Sequence, residues 1–536
     1  MRTKSRNNFI IYSLYTGIIL FSINANASPS TAIQSTRSDG TITNNSSLTS
    51  GDQIGIIINS GDTNNIVDNN GSITANDATT ILNEADGTTI NNRGLLHGNG
   101  NNSVEESSTM ISSGSNLTLN NFGSIIATGT LAAAVEISGD DFIINNSGSI
   151  KNANGVAIAT FANNGNIILN EGSLIIGNIT TTGTNNTLTL NLGSGKSYAY
   201  TTSGEWNLID LDNRPVIKGS AIAAGIGIQE TADEMLHFKN SLVENSLEKR
   251  KENNITSQKD NNGHEIWLDP YAAKQTREAD SSEPTMNKYT SSIRGITVGT
   301  KLNSDKKIDA IVNISQNDLN IDQGSQKLQS QSIEVGLLAS DLADYNNLKI
   351  SGKLLLGYTD NDATRTVLTN TSDTGSSLVT ANYNSYDFLV GPNAHYNYRL
   401  NQKNILNLNA GLDLALQHTG SYNESAYFSW KDRTLTETSG NFDIGITHNQ
   451  NESLSFWSKI GVDARTVLSG KASHYKAENT EVSFSRGNFN DTNFFAQIGA
   501  NYNIESYLSS YISLAAGKSL NNVTTKQGNV GMKVNF

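Results

Sequence analysis

A few residues near the amino-terminus have types and spacings that chemistry could use. His97, in "NNRGLLHG", is the single histidine between residues 28 and 205, so a Ser-His-Asp hydrolase there would need it as the base. No serine is surrounded by the G-x-S-x-G turn that exposes a hydrolase nucleophile. We therefore interpret His97 as a structural residue that follows a turn, and we expect this part of the chain not to be an enzyme.

Two other patterns resemble binding sites. The segment "GSGKS", residues 193–197, ends like a phosphate-binding loop, but Leu190 replaces its first glycine and a strand-like sequence follows it. The acidic pairs Glu105/Glu106 and Asp140/Asp141 could bind calcium or act as a general acid and base, although solvated turns use the same residues. The chain has no cysteine, which excludes disulfides and thiolate metal sites. Because solvated turns are the favoured interpretation of the acidic pairs, we expect no metal and no cofactor.

The first residues have the order of a secretory signal peptide. Three cationic residues, Arg2, Lys4 and Arg6, precede the apolar run Phe9 to Ile23, and Ala25 and Ala27 supply the small residues of a cleavage site. The run has 15 residues, fewer than the roughly 20 that a spanning helix needs. We expect cleavage after Ala27, with an uncleaved membrane anchor as the alternative.

Composition excludes one class of partner. The formal net charge is −13, from 37 Lys and Arg against 50 Asp and Glu, which opposes binding to nucleic acid. Asn, Ser, Thr and Gly dominate residues 28–205, whereas most tyrosines and tryptophans come later. We therefore expect two regions, both rich in strands.

The first region contains an internal repeat. The pattern apolar-x-Asn-x-Gly-x-apolar recurs, and its glycines lie 21 to 29 residues apart, the spacing of a solenoid. The repeated pairs are Asn69/Gly71, Asn92/Gly94, Asn121/Gly123, Asn146/Gly148 and Asn170/Gly172. Asn and Gly tolerate left-handed backbone angles, so each motif predicts a strand, a turn and a strand. We expect a right-handed parallel β-helix of about seven coils from about residue 31 to 195, with stacked Asn side chains.

The second region alternates apolar and polar residues. In "LNLNAGLDLALQ", residues 406–417, leucines form one face and polar residues most of the other. Twelve such strands, the first beginning near His264 and the last near Val523, predict a closed antiparallel barrel in a membrane, with a soluble β-sandwich as the alternative. Aromatic clusters such as "SYNESAYFSW" suit a membrane interface. The last strand places its apolar residues toward lipid: Val530, Met532, Val534 and Phe536.

Between the two regions lies one convincing helix of mixed polarity. Its start has the spacing of a capping box, Thr231 and Glu234, and Lys249, Arg250 and Lys251 suit its carboxyl end. From Ala232 to Glu252 it would measure about 31 Å, near the thickness of a bilayer core. A helix so polar cannot face lipid, so we expect it inside the polar barrel.

The order of these parts resembles that of the classical autotransporters of Gram-negative bacteria. We divide the chain into a signal peptide (1–27), a β-helical passenger (28–195), a junction (196–228), a lumenal helix (229–255) and an outer-membrane barrel (256–536). The junction contains "GEWNLIDLDNRPVI", which resembles the family's folding-nucleating segment. The fold class is therefore expected to be all-β with one lumenal helix.

The resemblance implies the partners and the location. Export would use the general secretion translocase, and the barrel assembly machinery would read the last strand, residues Val530, Met532, Val534 and Phe536. The barrel is expected to be monomeric in outer-membrane lipid, with the passenger at the cell surface. Some relatives cleave the chain at an asparagine of the lumenal helix; Asn245 is suitably placed, but "VENSLEKR" resembles that type only loosely, and cleavage stays undecided.

The activity of the passenger does not follow from the resemblance. Ladders of Asn, Thr and Ser suit weak, repeated polar contacts, so we expect adhesion to a host surface or to neighbouring cells, or self-association. The alternatives are a displayed hydrolase or polysaccharide lyase, and a vestigial passenger with only the barrel functional.

Overall fold

The computed structural model describes residues 33–35, 38–100, 108–130, 132–193, 195–212, 214, 216–217, 221–254, 265–278, 287–303, 308–322, 324–345, 347–485 and 490–535. The chain divides into two compact units, residues 1–224 with 367–377, and residues 225–366 with 378–536. Ala25, Ala27, Glu105, Glu106 and Phe536 lie outside the described residues. Within the described ranges, no helix has the length and apolar character that crossing a membrane requires.

The first unit consists of short strands. In chain order they are β1 (Ile33–Ser35), β2 (Thr41–Asn44), β3 (Ser47–Gly51), β4 (Ile56–Ile58), β5 (Ile66–Asn69), β6 (Ser72–Asn76), β7 (Ile81–Asn83), β8 (Thr89–Asn92), β9 (Leu95–Asn99), β10 (Met110–Ser112), β11 (Thr118–Asn121), β12 (Ser124–Ala127), β13 (Ala133–Ile137), β14 (Ile143–Asn146), β15 (Ser149–Thr160), β16 (Asn166–Asn170), β17 (Leu174–Thr181), β18 (Thr187–Asn191), β19 (Ser197–Tyr200), β20 (Thr202–Ser203), β21 (Asn207–Asp210) and β22 (Ala221–Ala223).

These strands build a parallel β-helix with three faces. One face stacks β2, β5, β8, β11, β14, β16, β18 and β21, all in parallel, and the other strands from β1 to β20 except β19 form the remaining two faces. β15 and β17 are long because each runs through a corner from one face to the next. Among the described residues the first face thus has eight rungs. The parallel stack continues to Asp210, beyond residue 195, because Leu208 keeps the apolar register of Leu188.

A ladder of asparagine side chains runs through the core of this solenoid. Each amide donates its Nδ2 proton to the Oδ1 of the next: Asn44 to Asn69, Asn69 to Asn92 and Asn92 to Asn121 at 2.8 Å, and Asn121 to Asn146 at 2.7 Å. All five side chains are buried among isoleucine, valine and leucine. The three inner amides have partners above and below, and the end amides of Asn44 and Asn146 bond to backbone two residues away, so polar burial costs little there.

Four glycines of the repeat are not needed for the left-handed backbone angle that the sequence suggested. Gly71, Gly94, Gly123 and Gly148 do not have left-handed backbone angles. Instead, a Cβ on Gly94 would lie 1.7 Å from the carbonyl oxygen of Gly71, and a Cβ on Gly123 would lie 2.1 Å from that of Gly94. Glycine is therefore needed for the close approach of successive turns.

The fifth asparagine of the repeat, Asn170, does not align with the other four. Asn146 pairs with Leu169 rather than with Asn170, because Ile167 and Leu169 occupy the inward positions of β16. Asn170 instead accepts a bond from Asn191 on the exposed side at 3.0 Å. Alternation of inward side chains fixes the register, so a one-residue offset moves this asparagine outside.

Gly172 differs from the other four glycines, and of the five it is the one with the left-handed backbone angle that the sequence predicted. Gly172 is exposed, and its φ is +90°, in the left-handed region. The Ser173 amide donates to the Asn170 carbonyl at 3.0 Å, which closes a tight turn with Gly172 as its third residue. A Cβ on Gly172 would lie 3.6 Å from the Ser147 carbonyl oxygen, an ordinary contact. Gly172 is therefore needed for its backbone angle and not for close approach.

The second unit contains one helix and the remaining strands, counted over the described ranges. They are α1 (Gly227–Asn254), β23 (Glu265–Arg277), β24 (Tyr289–Asn303), β25 (Ile308–Ile321), β26 (Gln326–Tyr345), β27 (Leu348–Thr369), β28 (Ser376–Arg399), β29 (Asn404–Thr419), β30 (Tyr422–Asn423), β31 (Phe428–Trp430), β32 (Arg433–Asn449), β33 (Leu454–Ser469), β34 (Ala472–Ala477), β35 (Thr480–Ser485), β36 (Asp491–Glu505), β37 (Leu508–Ser519) and β38 (Val523–Asn535).

Twelve of these strands form a closed antiparallel barrel, as predicted. The ring contains β23 to β29, β32, β33 and β36 to β38, and β27 pairs with β28. Its seam joins the last strand to the first, with Val534 opposite Ile266 and Met532 opposite Leu268. Outward positions are apolar and exposed, including Val530 and Met532, while inward positions such as Asp269 and Lys533 are polar and buried. The soluble sandwich is therefore wrong.

Helix α1 lies inside the ring, since its side chains bond to strands around the whole circumference. The predicted capping box is not formed. The helix begins one turn earlier, at Gly227, and the Thr231 hydroxyl donates to the Gly227 carbonyl at 2.8 Å. The Glu234 carboxylate is bound instead by Arg277 and by the Tyr289 hydroxyl.

The asparagine ladder can be tested with a pair of neighbouring residues. Asn121→Ala should lower the free energy of unfolding of the solenoid by roughly 1–3 kcal/mol, because the amides of Asn92 and Asn146 lose a buried partner. Asn120→Ala, on the outer side of the same strand, should have a much smaller effect. Amide hydrogen exchange of β8, β11 and β14 in the full chain measures both. Equal effects would contradict a stabilising role for the buried row.

Candidate functional site

The barrel lumen with its helix is the candidate functional site, and one side of the helix is apolar. Phe238 and Leu242 pack against Tyr271, Ala273 and Ile293. Farther along, two helix residues meet side chains from six strands between β23 and β29. This second cluster consists of Val243, Leu247, Trp267, Ile311, Leu338, Leu355, Leu389 and Ala415. The apolar side thus seats the helix against the wall formed by β23 to β29.

The helix also carries charges that meet opposite charges on the barrel. Near its middle, Lys239 forms ion pairs with Asp387 and, at 3.2 Å, with Glu334. The lysine and both carboxylates are buried. A buried cation with two carboxylates is strongly held, because any one of the three groups alone would have to be desolvated without a partner.

Two barrel lysines are each held between a barrel carboxylate and a helix carboxylate. Lys353 Nζ lies 2.9 Å from Asp413 and 2.5 Å from Glu244 of the helix. Lys459 Nζ lies 3.4 Å from Asp443 and 2.7 Å from Glu248 of the helix. If the helix left, each lysine would keep its partner on the barrel.

Near the first turns of the helix, barrel side chains depend on the helix for their ion-pair partners. Asp233 pairs with Arg433, and Glu234 pairs with Arg277. His237 Nε2 lies 2.7 Å from Asp463 Oδ2. In this part of the lumen the two arginines have helix carboxylates as their ion-pair partners, so removal of the helix would cost more here than at Lys353.

A small sheet beside the start of the helix contains the aromatic cluster of "SYNESAYFSW". Strands β30, β31, β34 and β35 form it, and Tyr422 stacks on Tyr383 with ring centroids 4.2 Å apart. Gln229 of the helix donates to the Tyr422 hydroxyl at 2.8 Å. These aromatics therefore pack among themselves and near the helix, and the expected placement at a membrane interface is wrong for them.

One carboxylate anchors this sheet. Glu424 accepts bonds from Trp430 Nε1 and from Arg365, both at 2.6 Å. Burial raises the pKa of Glu424, although the Arg365 guanidinium acts in the opposite direction. Arg365 also donates to the Gly225 carbonyl at 2.7 Å, just before the helix. The sheet and the helix start thus share one arginine.

The residues that the sequence singled out for chemistry are dispersed. His97 lies half-buried on β9, between Thr74 and Ile126 of the neighbouring rungs. Asp140 accepts bonds from the Asn163 backbone and side chain, and Asp141 is a left-handed corner residue. Over the described ranges, no group of three His, Cys, Asp or Glu side chains could hold a metal.

The remaining two candidates also have structural contacts. Lys196 of "GSGKS" pairs with Glu171 at 2.9 Å, and a strand, β19, follows it. Asn245 lies inside α1 and donates to the Gln527 side chain of β38 at 3.2 Å.

Sequence reasoning missed the lumenal ion pairs. Alternation along the strands does identify Lys353, Asp413 and Lys459 as inward residues, which was the available signal. Their partners, however, lie on different strands or on the helix, such as Glu244, 109 residues before Lys353. Only closure of the ring brings them together.

Comparison with known proteins gives one family. The model described as "Autotransporter beta-domain" matches residues 266–515. A search of curated proteins found no match to this chain.

Many solved structures resemble the chain, and three of them are autotransporter domains with 12–13% sequence identity to it. The translocator domain of autotransporter NalP from Neisseria meningitidis covers 56% of this chain and 98% of its own, with a TM-score of 0.41. The β domain of the Bordetella autotransporter BrkA covers 51% and 100%, with a TM-score of 0.36. The transport unit of AIDA-I from Escherichia coli covers 51% and 90%, also with 0.36.

The two kinds of lumenal ion pair should respond differently to mutation. Lys239→Met leaves Glu334 and Asp387 facing each other without a cation, and should weaken seating of the helix by roughly 3–5 kcal/mol. Glu244→Gln leaves Lys353 paired with Asp413 and should have a much smaller effect. The measurements are hydrogen exchange of α1 and the temperature at which the refolded barrel loses its compact electrophoretic mobility. If Glu244→Gln were the more damaging, the distinction would be wrong.

Proposed function

Residues 266–515 are an autotransporter β-domain, and from this premise we propose that the chain displays its solenoid as a non-enzymatic surface for adhesion or self-association. The barrel lies in the outer membrane and exports its own passenger to the cell surface.

The observation that supports adhesion is a row of polar side chains on the outside of the first face. Asn145 donates to Asn120, Asn120 to Asn91, and Asn91 to Asp68, each at 2.9 Å. Beside this row are outward threonines, including Thr89 of β8. The side chains are held at fixed positions before any partner arrives, so little conformational entropy is lost on contact.

Such a surface suits many weak contacts. Each rung offers amide or hydroxyl groups at the spacing of parallel strands, about 4.8 Å. Single polar contacts of this kind are weak, but a cell displays many copies, and repeated contacts between two surfaces add up through effective concentration. The partner would be a polar surface on a host, or the same face on a neighbouring cell.

Export requires partners that the chain itself does not supply. We propose that the general secretion translocase carries it across the inner membrane after recognition of residues 1–27, with cleavage between Ala27 and Ser28. The barrel assembly machinery would then recognise the last strand. Val530 and Met532 are exposed on the outer side of that strand, where another protein could reach them before the seam closes.

Deletion of residues 28–200 tests the proposal. The barrel should still reach the outer membrane, with compact electrophoretic mobility, while cell aggregation or host-cell binding is lost. A vestigial passenger would leave both unchanged. Loss of glycan cleavage or ester hydrolysis on deletion would favour the displayed hydrolase or lyase instead.

A surface variant localises the contact. Replacing Asn91, Asn120 and Asn145 together with Asp should reduce aggregation or adhesion strongly, because the row becomes negatively charged. The matched control replaces three serines on another face with Asp: Ser72, Ser124 and Ser149. Protease accessibility on whole cells verifies equal display. An equal loss in both variants would contradict a role for the asparagine row.

A further inference from the structure

A cavity of about 70 Å³ lies between the first turns of α1 and the barrel wall. Its helix side runs from Gln229 to Lys239, and its other side consists of β24 to β29 with parts of the small sheet that contains Tyr422 and Trp430. Lys431, which also lines the cavity, is exposed, so solvent reaches the cavity beside β31. One water needs roughly 10–15 Å³, so the cavity holds about five to seven waters or one small ring-shaped molecule.

The wall formed by β25 to β29 presents hydroxyl and amide groups and no charge. Each of these five consecutive strands contributes two inward side chains of this kind, for example Ser330 and Ser332 of β26. Ser330 donates to Asn361 at 2.7 Å, and Asn361 donates to Ser385 at 2.9 Å. These bonds fix the orientation of the groups, and a hydroxyl that donates one bond can still accept another. The wall therefore offers uncharged donors and acceptors that are already positioned.

The charges around the cavity are neutralised before any ligand arrives. Among the described residues that line it there is no carboxylate. Its three permanent cations, Lys239, Lys431 and Arg433, each form ion pairs with carboxylates that lie outside the lining. A charged ligand would lose its hydration here without gaining a free counter-charge. The cavity thus favours a neutral ligand.

Aromatic rings supply an apolar surface beside the polar wall. Tyr422 stands between Tyr383 and Trp430, and the planes of neighbouring rings differ by 13° and 18°. All three rings line the cavity. Aromatic side chains of this kind combine a large apolar area with a polar end. A ligand that fits must therefore have both hydroxyl groups and an apolar C–H surface.

One buried acceptor of the lining has no partner. Gln229 is more than nine-tenths buried, and its Nε2 donates to the Tyr422 hydroxyl at 2.8 Å. Its Oε1 receives no hydrogen bond from any residue that the structure describes. A buried acceptor without a donor is costly, and a ligand hydroxyl would remove that cost.

We propose that this cavity binds one neutral sugar ring, a hexose whose hydroxyl groups bond to the β25 to β29 wall and whose C–H groups contact the aromatic rings. Gln229 Oε1 accepts a bond from one of the hydroxyls. The ring is either a free hexose or the terminal ring of a glycan, which present the same chemistry. This site is separate from export and from any contact that the solenoid makes.

Binding is measured by saturation-transfer NMR and calorimetry on the refolded full chain, in a detergent without a sugar headgroup. The probes are D-glucose, D-galactose and D-mannose. At least one should bind saturably, and its uronic acid and its amino sugar should bind more weakly because each adds an unpaired charge. No binding by any of the three hexoses would overturn the proposal. Tighter binding of either charged analogue would contradict a site for a neutral ligand.

Two asparagines give a matched pair with the same substitution. Asn361 lines the cavity, whereas Asn384 of β28 is exposed on the outside of the barrel. Asn361→Leu should weaken binding of the hexose by roughly tenfold or more, because polar contacts of the wall are lost, and Asn384→Leu should leave it unchanged. An equal loss in both, or in neither, would contradict the proposed site. If Asn361→Leu does not give the compact folded form on electrophoresis, Gln229→Met replaces it with the same expectation.

The source of the ring is tested with an oligosaccharide that ends in the hexose bound best. Equal affinity for the oligosaccharide and the free hexose would identify the terminal ring of a glycan as the ligand. Binding of the free hexose alone would identify a free sugar. Binding of the oligosaccharide that Asn361→Leu does not weaken would place recognition outside the cavity and overturn the proposal.

Discussion

Inside a bilayer there is no water to bond an exposed amide or carbonyl, so every backbone polar group of a spanning segment must be paired within the protein. A strand sheet meets this requirement only if it has no free edge. The pairing of β38 with β23 therefore decides whether the other strands can exist in lipid at all. Closure has a second consequence, because it turns half of every strand toward an enclosed lumen. The polar side chains collected there, among them Lys353, Asp387 and Lys459, need partners of their own. The helix supplies several of them, and the ring in turn provides the one environment in which such a polar helix can lie at membrane depth.

The solenoid satisfies the same rule by another route. Its strands pair in parallel with the rungs above and below, so backbone groups are satisfied along the stack rather than around a ring. Side chains then decide the details. A row of buried asparagines replaces apolar residues from Asn44 to Asn146. It is tolerable because the inner amides both donate and accept along the axis, and the two end amides complete their bonding to nearby backbone. Where the pattern shifts by one residue, at Asn170, the apolar neighbours Ile167 and Leu169 keep the inside and the asparagine moves out. Burial of apolar side chains therefore outweighs continuity of the ladder.

Features that depend on local alternation could be predicted from the sequence. The barrel strands follow from a period of two residues, the parallel coils from a repeat of 21 to 29 residues, and the lumenal helix from its mixed polarity. The predicted start of the last strand near Val523 is the observed start of β38. Features that depend on closure or on stacking could not. The Thr231 and Glu234 spacing suggested a cap, but Arg277, brought close by the ring, binds Glu234 instead. Gly172 has the spacing of the other repeat glycines, yet the offset of β16 gives it a different turn. The aromatic cluster looked like an interface girdle because sequence does not show that β30, β31, β34 and β35 form a sheet of their own.

A lumen through which a polypeptide passes must be stable both with and without the helix. Some charged residues of the barrel have partners in both states, and others have partners only when the helix is present. Lys353 and Lys459 each have a carboxylate on the barrel in addition to one on the helix, so a lumen without the helix would still contain neutral pairs there. Arg433 and Arg277 bind helix carboxylates, and they lie near its amino-terminal end. Lys239, also in the first half of the helix, leaves Glu334 and Asp387 without a cation when it departs. The cost of removing the helix is therefore concentrated in its first half, whereas the carboxylates of its later turns bind lysines that keep a partner on the barrel. The helix is consequently held most strongly in its amino-terminal half, the half that follows the passenger in the chain. Its carboxyl-terminal half is the part that the lumen can most readily release.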